Sequence, residues 1–126
     1  MYDIYYAHHQ WKYGTKIEEY ELRLIRRYFY SGTIFNPATD LESTIEDGEV
    51  AIMEECFATI NKSDILVFSS MDGIVGTGVY HEVKEAQRLG KLVLYIYQDE
   101  LRSDFIMEIL DTNNHSDRLY GRVDIL

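Results

Sequence analysis

The chain has 126 residues, enough for one domain with a real core and too few for two. Twenty-two acidic against twelve basic residues give a net charge of -10, which excludes polymeric nucleic acid as the expected partner but leaves room for one small nucleotide held by backbone amides. No apolar run approaches the roughly 18 residues of a bilayer span, no basic-then-apolar leader opens the chain, and the lone Cys56 cannot form an internal disulfide, so a cytoplasmic protein with no membrane partner is expected.

Residues 2–7 are β-rich and read as a first strand. His8, His9, Gln10, Trp11, Lys12, Tyr13 and Gly14 form a polar and aromatic loop. Thr15 and Glu18 fit a capping box that opens a helix running to about Tyr28. Ile17, Tyr20, Leu24 and Tyr28 should give its inner face, with Glu18, Glu19, Arg23, Arg26 and Arg27 outside. Residues 33–35 read as a short strand, closed by the Asn36-Pro37 turn signal. Residues 38–47 are acidic and polar and read as a loop. A helix follows over about 48–62, with Val50, Met53, Phe57 and Ile60 toward the core and Cys56 beside them.

The densest signal comes next. Ile65 to Phe68 is a short apolar run suited to a strand buried on both faces. Ser69 to Gly78 is a loop in which Gly73, Gly76 and Gly78 allow a tight turn and close approach of a ligand. The helix after it points its free amides back into that loop, which suits an anion. Val79, Val83 and Ala86 mark its inner face, and Gly90 ends it. Glu82 lies beside the apolar face, in what reads as the first turn. A carboxylate there costs desolvation energy unless it is paired or used, although an acid at a helix start also favours the dipole.

Residues 91–97 form a further apolar strand, 99–110 read as a last helix with Leu101, Phe105 and Ile109 on one face, and 113–117 read as a loop. Residues 122–126 complete the pattern as a fifth strand. The alternation predicts one α/β domain: a three-layer, flavodoxin- or Rossmann-like fold with a five-stranded parallel sheet in order 2-1-3-4-5. Its first and third strands should pair at the centre. Ligands of such sheets bind outside the carboxyl ends of the strands, where the loops starting at His8, Asn36 and Ser69 meet.

Ile4-Tyr5-Tyr6-Ala7, Ser63-Asp64-Ile65-Leu66-Val67, and Gly78-Val79-Tyr80-His81-Glu82 followed by Ala86 and Gly90-Lys91-Leu92-Val93 resemble the nucleoside 2-deoxyribosyltransferase superfamily, which includes the 2'-deoxynucleoside 5'-phosphate N-hydrolases. The resemblance spans roughly the first hundred residues. It implies cleavage of the N-glycosidic bond of a nucleoside or nucleotide. It also implies that Glu82 attacks the anomeric carbon with Tyr5 nearby. Cys56 stands where the family has an aspartate, Gly76 where the transferases have another, and His8-His9 replace a small pair after the first strand.

The chemistry needs a carboxylate at the anomeric carbon, an acid for the leaving base and donors for any 5'-phosphate. Glu82 can supply the first, and Asp72, His8 or His9 the second. The amides around Gly76, Thr77, Gly78 and Val79, with Lys12 or Ser70, can supply the third. Asn36 lines the same end of the sheet. Plainer roles exist for each: His8 and His9 as surface loop residues, Asp72 as turn chemistry, Cys56 as a core thiol. One Cys with scattered His81 and His115 gives no metal-ligand pattern, so neither metal nor other cofactor is expected. Two other functions fit the same pocket: a non-catalytic nucleotide-binding or sensing module, and cleavage of the nicotinamide N-glycosidic bond of NAD. The resemblance and the aromatic content imply a homodimer or larger, with residues 113–120 reaching a neighbour's pocket.

Overall fold

The computed structural model describes residues 1–110 and 120–126. Chain order runs β1 (Tyr2–Ala7), α1 (Lys16–Tyr28), β2 (Gly32–Phe35), the four-residue α2 (Pro37–Asp40), α3 (Glu49–Lys62), β3 (Ile65–Phe68), β4 (Ile74–Val75), α4 (Thr77–Arg88), β5 (Leu92–Tyr97), β6 (Glu100–Arg102), β7 (Phe105–Ile109) and β8 (Gly121–Ile125). Short 3-10 turns lie at Gln10–Lys12, between β1 and α1, and at Ile45–Asp47, between α2 and α3.

The main sheet has the order β2-β1-β3-β5-β6. Its first four strands are parallel, and β1 pairs β3 at the centre, with Ile4 opposite Ile65 and Ala7 opposite Phe68. That much follows from the alternation of strands and helices. The fifth strand differs from expectation. It is β6, antiparallel to β5, not the segment at 122–126. Gln98 and Asp99 adopt φ of 47° and 66°, which closes a two-residue hairpin with Tyr97 opposite Glu100. The chain thus reverses where a helix was expected. Leu101, Phe105 and Ile109 mimic a helical stripe by their spacing, yet they go to three places. Leu101 packs on the α1 side of the sheet, Phe105 on the other side, and Ile109 is exposed. The segment at 122–126 belongs instead to a second, antiparallel sheet in order β4-β8-β7. Gly121 is buried there, and a Cβ on it would meet Tyr80 at 2.9 Å.

Strand alternation sorts the core into two clusters. Tyr5, Ala7, Leu66, Phe68, Val93 and Tyr95 face α3, α4 and the small sheet. Ile4, Tyr6, Ile65 and Val67 face Ile25 of α1. Helices therefore cover both faces of the parallel sheet, which makes this an α/β fold. Val79, Val83 and Ala86 of α4 are buried as their spacing predicts. In α3, Cys56 and Ile60 are buried, but Val50 and Met53 are exposed. In α1, Leu24 is buried while Ile17 and Tyr28 are exposed. Its inner face also carries Glu18 and Glu21, because the loop before it supplies buried partners for both. No helix among the described residues is long and apolar enough to cross a membrane.

Candidate active site

Three elements converge on Glu82. β1, held between β2 and β3, places the fully buried Tyr5 opposite Phe35 and Leu66. The Tyr5 ring stacks on Phe35 with centroids 5.5 Å apart. From α4, Glu82 accepts a hydrogen bond from the Tyr5 hydroxyl. From α3, the Cys56 thiol is the second hydrogen-bond partner of the Glu82 carboxylate and also meets the Tyr5 hydroxyl. Glu82 is the sixth residue of α4 and so lies in its second turn, not the first. Dipole stabilisation fades beyond the first turn, so a helix-start acid is a poor description of it.

The electrostatics follow from enclosure without a cation. Burial pushes the Glu82 carboxyl up to about 7, although the Tyr5 and Cys56 hydrogen bonds pull the other way. Burial, then the neighbouring Glu82 charge, pushes the Tyr5 phenol far up. The Cys56 thiol rises to about 11, mainly by burial. Tyr13, on the loop after β1, rises to about 12 by burial and the Glu82 charge. Among the described residues, no ion pair involves Glu82. A carboxylate of this kind ionises near neutral pH and is poorly solvated, which suits a nucleophile or base.

The other expected site residues go elsewhere. Lys12 is buried on the opposite side of the sheet. Its ammonium donates to Glu21 at 2.9 Å, to the Ser69 hydroxyl at 2.9 Å and to the Ser70 carbonyl at 2.7 Å. It is spent on the fold. His8 is buried, stacked on Tyr6 at 3.8 Å, with Nε2 2.7 Å from Glu18. Burial holds its pKa below the ordinary value despite that carboxylate. His9 caps the 3-10 turn, its Nδ1 accepting from the Trp11 amide. Asn36 caps α2, its side chain accepting from the Ala38 amide. The Ser70 hydroxyl lies 2.6 Å from the Tyr95 hydroxyl and accepts from the Gly73 amide. Asp72 is exposed on a tight turn with φ of 53°. Gly76 is the N-cap of α4, and Thr77 and Gly78 open its first turn, one turn before Glu82.

A second buried cluster escapes the sequence reading. Glu21 accepts from the Tyr6 hydroxyl at 2.5 Å, the Ser69 hydroxyl at 2.7 Å and Lys12. The legible signal is the pairing of His8 and Lys12 with Glu18 and Glu21 across one capped turn.

Two open clefts of about 400 and 380 Å³ flank β2. Asp40 and Ile34 line both, and Glu82 lines neither. Among the described residues, no group of three His, Cys, Asp or Glu side chains is placed to hold a metal. Residues 113–119, expected to reach a neighbouring subunit, lie outside the described residues.

Fold and site together define an α/β protein, with a mostly parallel sheet, that holds against a buried tyrosine a carboxylate with no ion-pair partner among the described residues. No protein-family model matches the chain, and no curated protein matches it.

Proposed function

We propose that the protein is an N-glycosidase or deoxyribosyltransferase-like enzyme cleaving the base–sugar bond of a nucleoside or nucleotide. One observation carries this reading. Among the described residues, Glu82 is held by the Tyr5 hydroxyl and the Cys56 thiol with no ion-pair partner. Such a carboxylate gains most when positive character develops on an adjacent anomeric carbon. The sequence resemblance assigns the same two residues, Glu82 and Tyr5, to this chemistry. In this reading the four parallel strands are a flavodoxin-like core, the β5–β6 hairpin and the small sheet are additions, and the protein works in the cytoplasm. Exposed Tyr30, Ile45, Val50 and Met53 support a homo-oligomer. Light scattering at micromolar concentration should then give more than a monomer mass.

The test is base release from a panel of nucleosides, nucleotides and NAD, followed by chromatography. Wild type should release free base, and Glu82→Gln should lose at least about a hundredfold in rate with binding nearly unchanged. Equal turnover by wild type and mutant would remove Glu82 from the chemistry. A second reading is a nucleotide-binding or sensing module, favoured by the absence, among the described residues, of a hydrogen bond or ion pair joining a second carboxylate to Glu82. It predicts ligand binding with no release by either protein. NAD glycohydrolysis stays within the same panel.

A further inference from the structure

We propose that the substrate is a nucleoside whose base already carries a positive charge and whose sugar carries no phosphate. This rests on the N-glycosidase reading and narrows its substrate class. Two independent observations carry it.

The first is the lack of an acid beside Glu82 among the described residues. A neutral purine or pyrimidine must be protonated as it leaves. Among the described residues, the titratable groups that interact with Glu82 are Tyr5 from β1, Cys56 from α3 and Tyr13 from the loop after β1. All three are phenols or thiols; Tyr5 and Cys56 are buried and Tyr13 is partly exposed, and desolvation makes each a weaker acid than usual. The stronger candidates are committed elsewhere: His8 to Glu18, Lys12 to Glu21, and His9 to the cap of the 3-10 turn through the Trp11 amide. Asp72 is exposed on its turn. A base quaternised at the glycosidic ring needs no acid, because it departs neutral.

The second is the charge of the rim. The loops at the carboxyl ends of β1, β2 and β3 span residues 8–15, 36–48 and 69–76. They hold one cation, Lys12, against Asp40, Glu42, Glu46, Asp47 and Asp72. All five acids are exposed, and Lys12 is buried in its ion pair. Such a rim repels a phosphate dianion and concentrates a cation. Trp11 and Tyr13 on the first of these loops are 50% and 39% exposed, and their faces suit a planar cation.

The reaction balances without a further reagent. A Glu82 carboxylate oxygen bonds to the anomeric carbon as the C1'–N bond breaks, and that bond's electron pair cancels the positive charge of the ring. Water then attacks the same carbon, the C1'–O bond returns its pair to Glu82, and one proton leaves to solvent.

The experiment uses the full chain and Glu82→Gln with four probes: 7-methylguanosine, nicotinamide riboside, guanosine and nicotinamide mononucleotide. Released base is followed by chromatography, and each rate is divided by the spontaneous rate under the same conditions. That correction removes the intrinsic lability of cationic glycosides. The two cationic nucleosides should show accelerations at least about tenfold above guanosine and above the 5'-phosphate, falling toward parity as salt rises. Glu82→Gln should abolish the acceleration. If guanosine or the mononucleotide is accelerated as much or more, the substrate inference is overturned while the N-glycosidase reading stands. If wild type accelerates none of these and none of the wider panel, both fall together.

Discussion

Tyr5 and Tyr6 are neighbours on one strand, and each donates its hydroxyl to a helix glutamate. The two pairs lie on opposite faces of the same sheet, because strand alternation sends the side chains apart. On the α1 side, Tyr6 meets Glu21, and Lys12 and Ser69 complete the shell. On the α4 side, Tyr5 meets Glu82, and among the described residues the other partner is a thiol. One carboxylate is fully compensated by charge and hydrogen bonds. The other is only part-buried by the fold and, among the described residues, has no ion-pair partner. A buried ion pair with all its donors satisfied does structural work, whereas an unanswered carboxylate is tolerated only where something uses it.

The largest expected effect breaks the compensated pair. Lys12→Ala leaves Glu21 buried without its cation and should cost about 3–5 kcal/mol in urea unfolding. The same change should leave the pH dependence of stability that belongs to Glu82 in place. A cost below about 1 kcal/mol would mean the Lys12–Glu21 cluster is solvated and the contrast between the faces is false.

Next comes the uncompensated side. The folded Glu82 carboxyl titrates near 7, above its ordinary 4.5. Below 4.5 both folded and unfolded chains hold the proton. Between 4.5 and about 7 the unfolded chain releases it while the folded chain keeps it, so stability falls as pH rises through that window and levels off above it. At about 1.4 kcal/mol per pH unit, the whole effect is at most roughly 3 kcal/mol. Glu82→Gln removes it. The mutant should match wild type near pH 4 and exceed it in melting temperature at pH 8. A mutant less stable than wild type at pH 8 would reveal a buried partner for the charge.

The smallest effects compare the two tyrosines directly. Tyr6→Phe removes one of several donors to Glu21 and should cost about 1 kcal/mol at any pH from 6 to 9. Tyr5→Phe should cost about as much at pH 5 but roughly twice that at pH 9, where the lost bond is to a charged acceptor. Equal, pH-independent costs would erase the distinction.

The sequence made one face of this contrast readable and hid the other. Val79, Val83 and Ala86 set the phase of α4, and that phase alone puts Glu82 next to the core. The alternation of β1 leaves either Tyr5 or Tyr6 to face it, and the family resemblance favours Tyr5. On α1 the same periodicity misleads. Ile17 and Tyr28 look like core positions, and charged Glu18 looks like surface, yet Glu18 and Glu21 turn inward. Hydrophobic periodicity cannot anticipate a carboxylate whose buried partners, His8 and Lys12, come from an irregular loop. The segment at 99–110 fails for another reason. Four-residue spacing of Leu101, Phe105 and Ile109 suggests a helix, but positive φ at two non-glycine residues, Gln98 and Asp99, turns the chain into a hairpin first. Aspartate at such a position is permitted and gives only a weak signal. Strand pairing then decides the rest, and β8 reaches β4 across the chain.

The central claim is that Glu82 is a part-buried carboxylate with no neutralising partner among the described residues. The most direct measurement is an NMR titration of the Glu82 side-chain carboxyl carbon in the intact protein, assigned with Glu82→Gln. The account predicts a midpoint of about 7, the value that burial against Tyr5 and Cys56 sets. A midpoint at or below the ordinary 4.5 would show that a cation or solvent answers the charge, and would contradict the account.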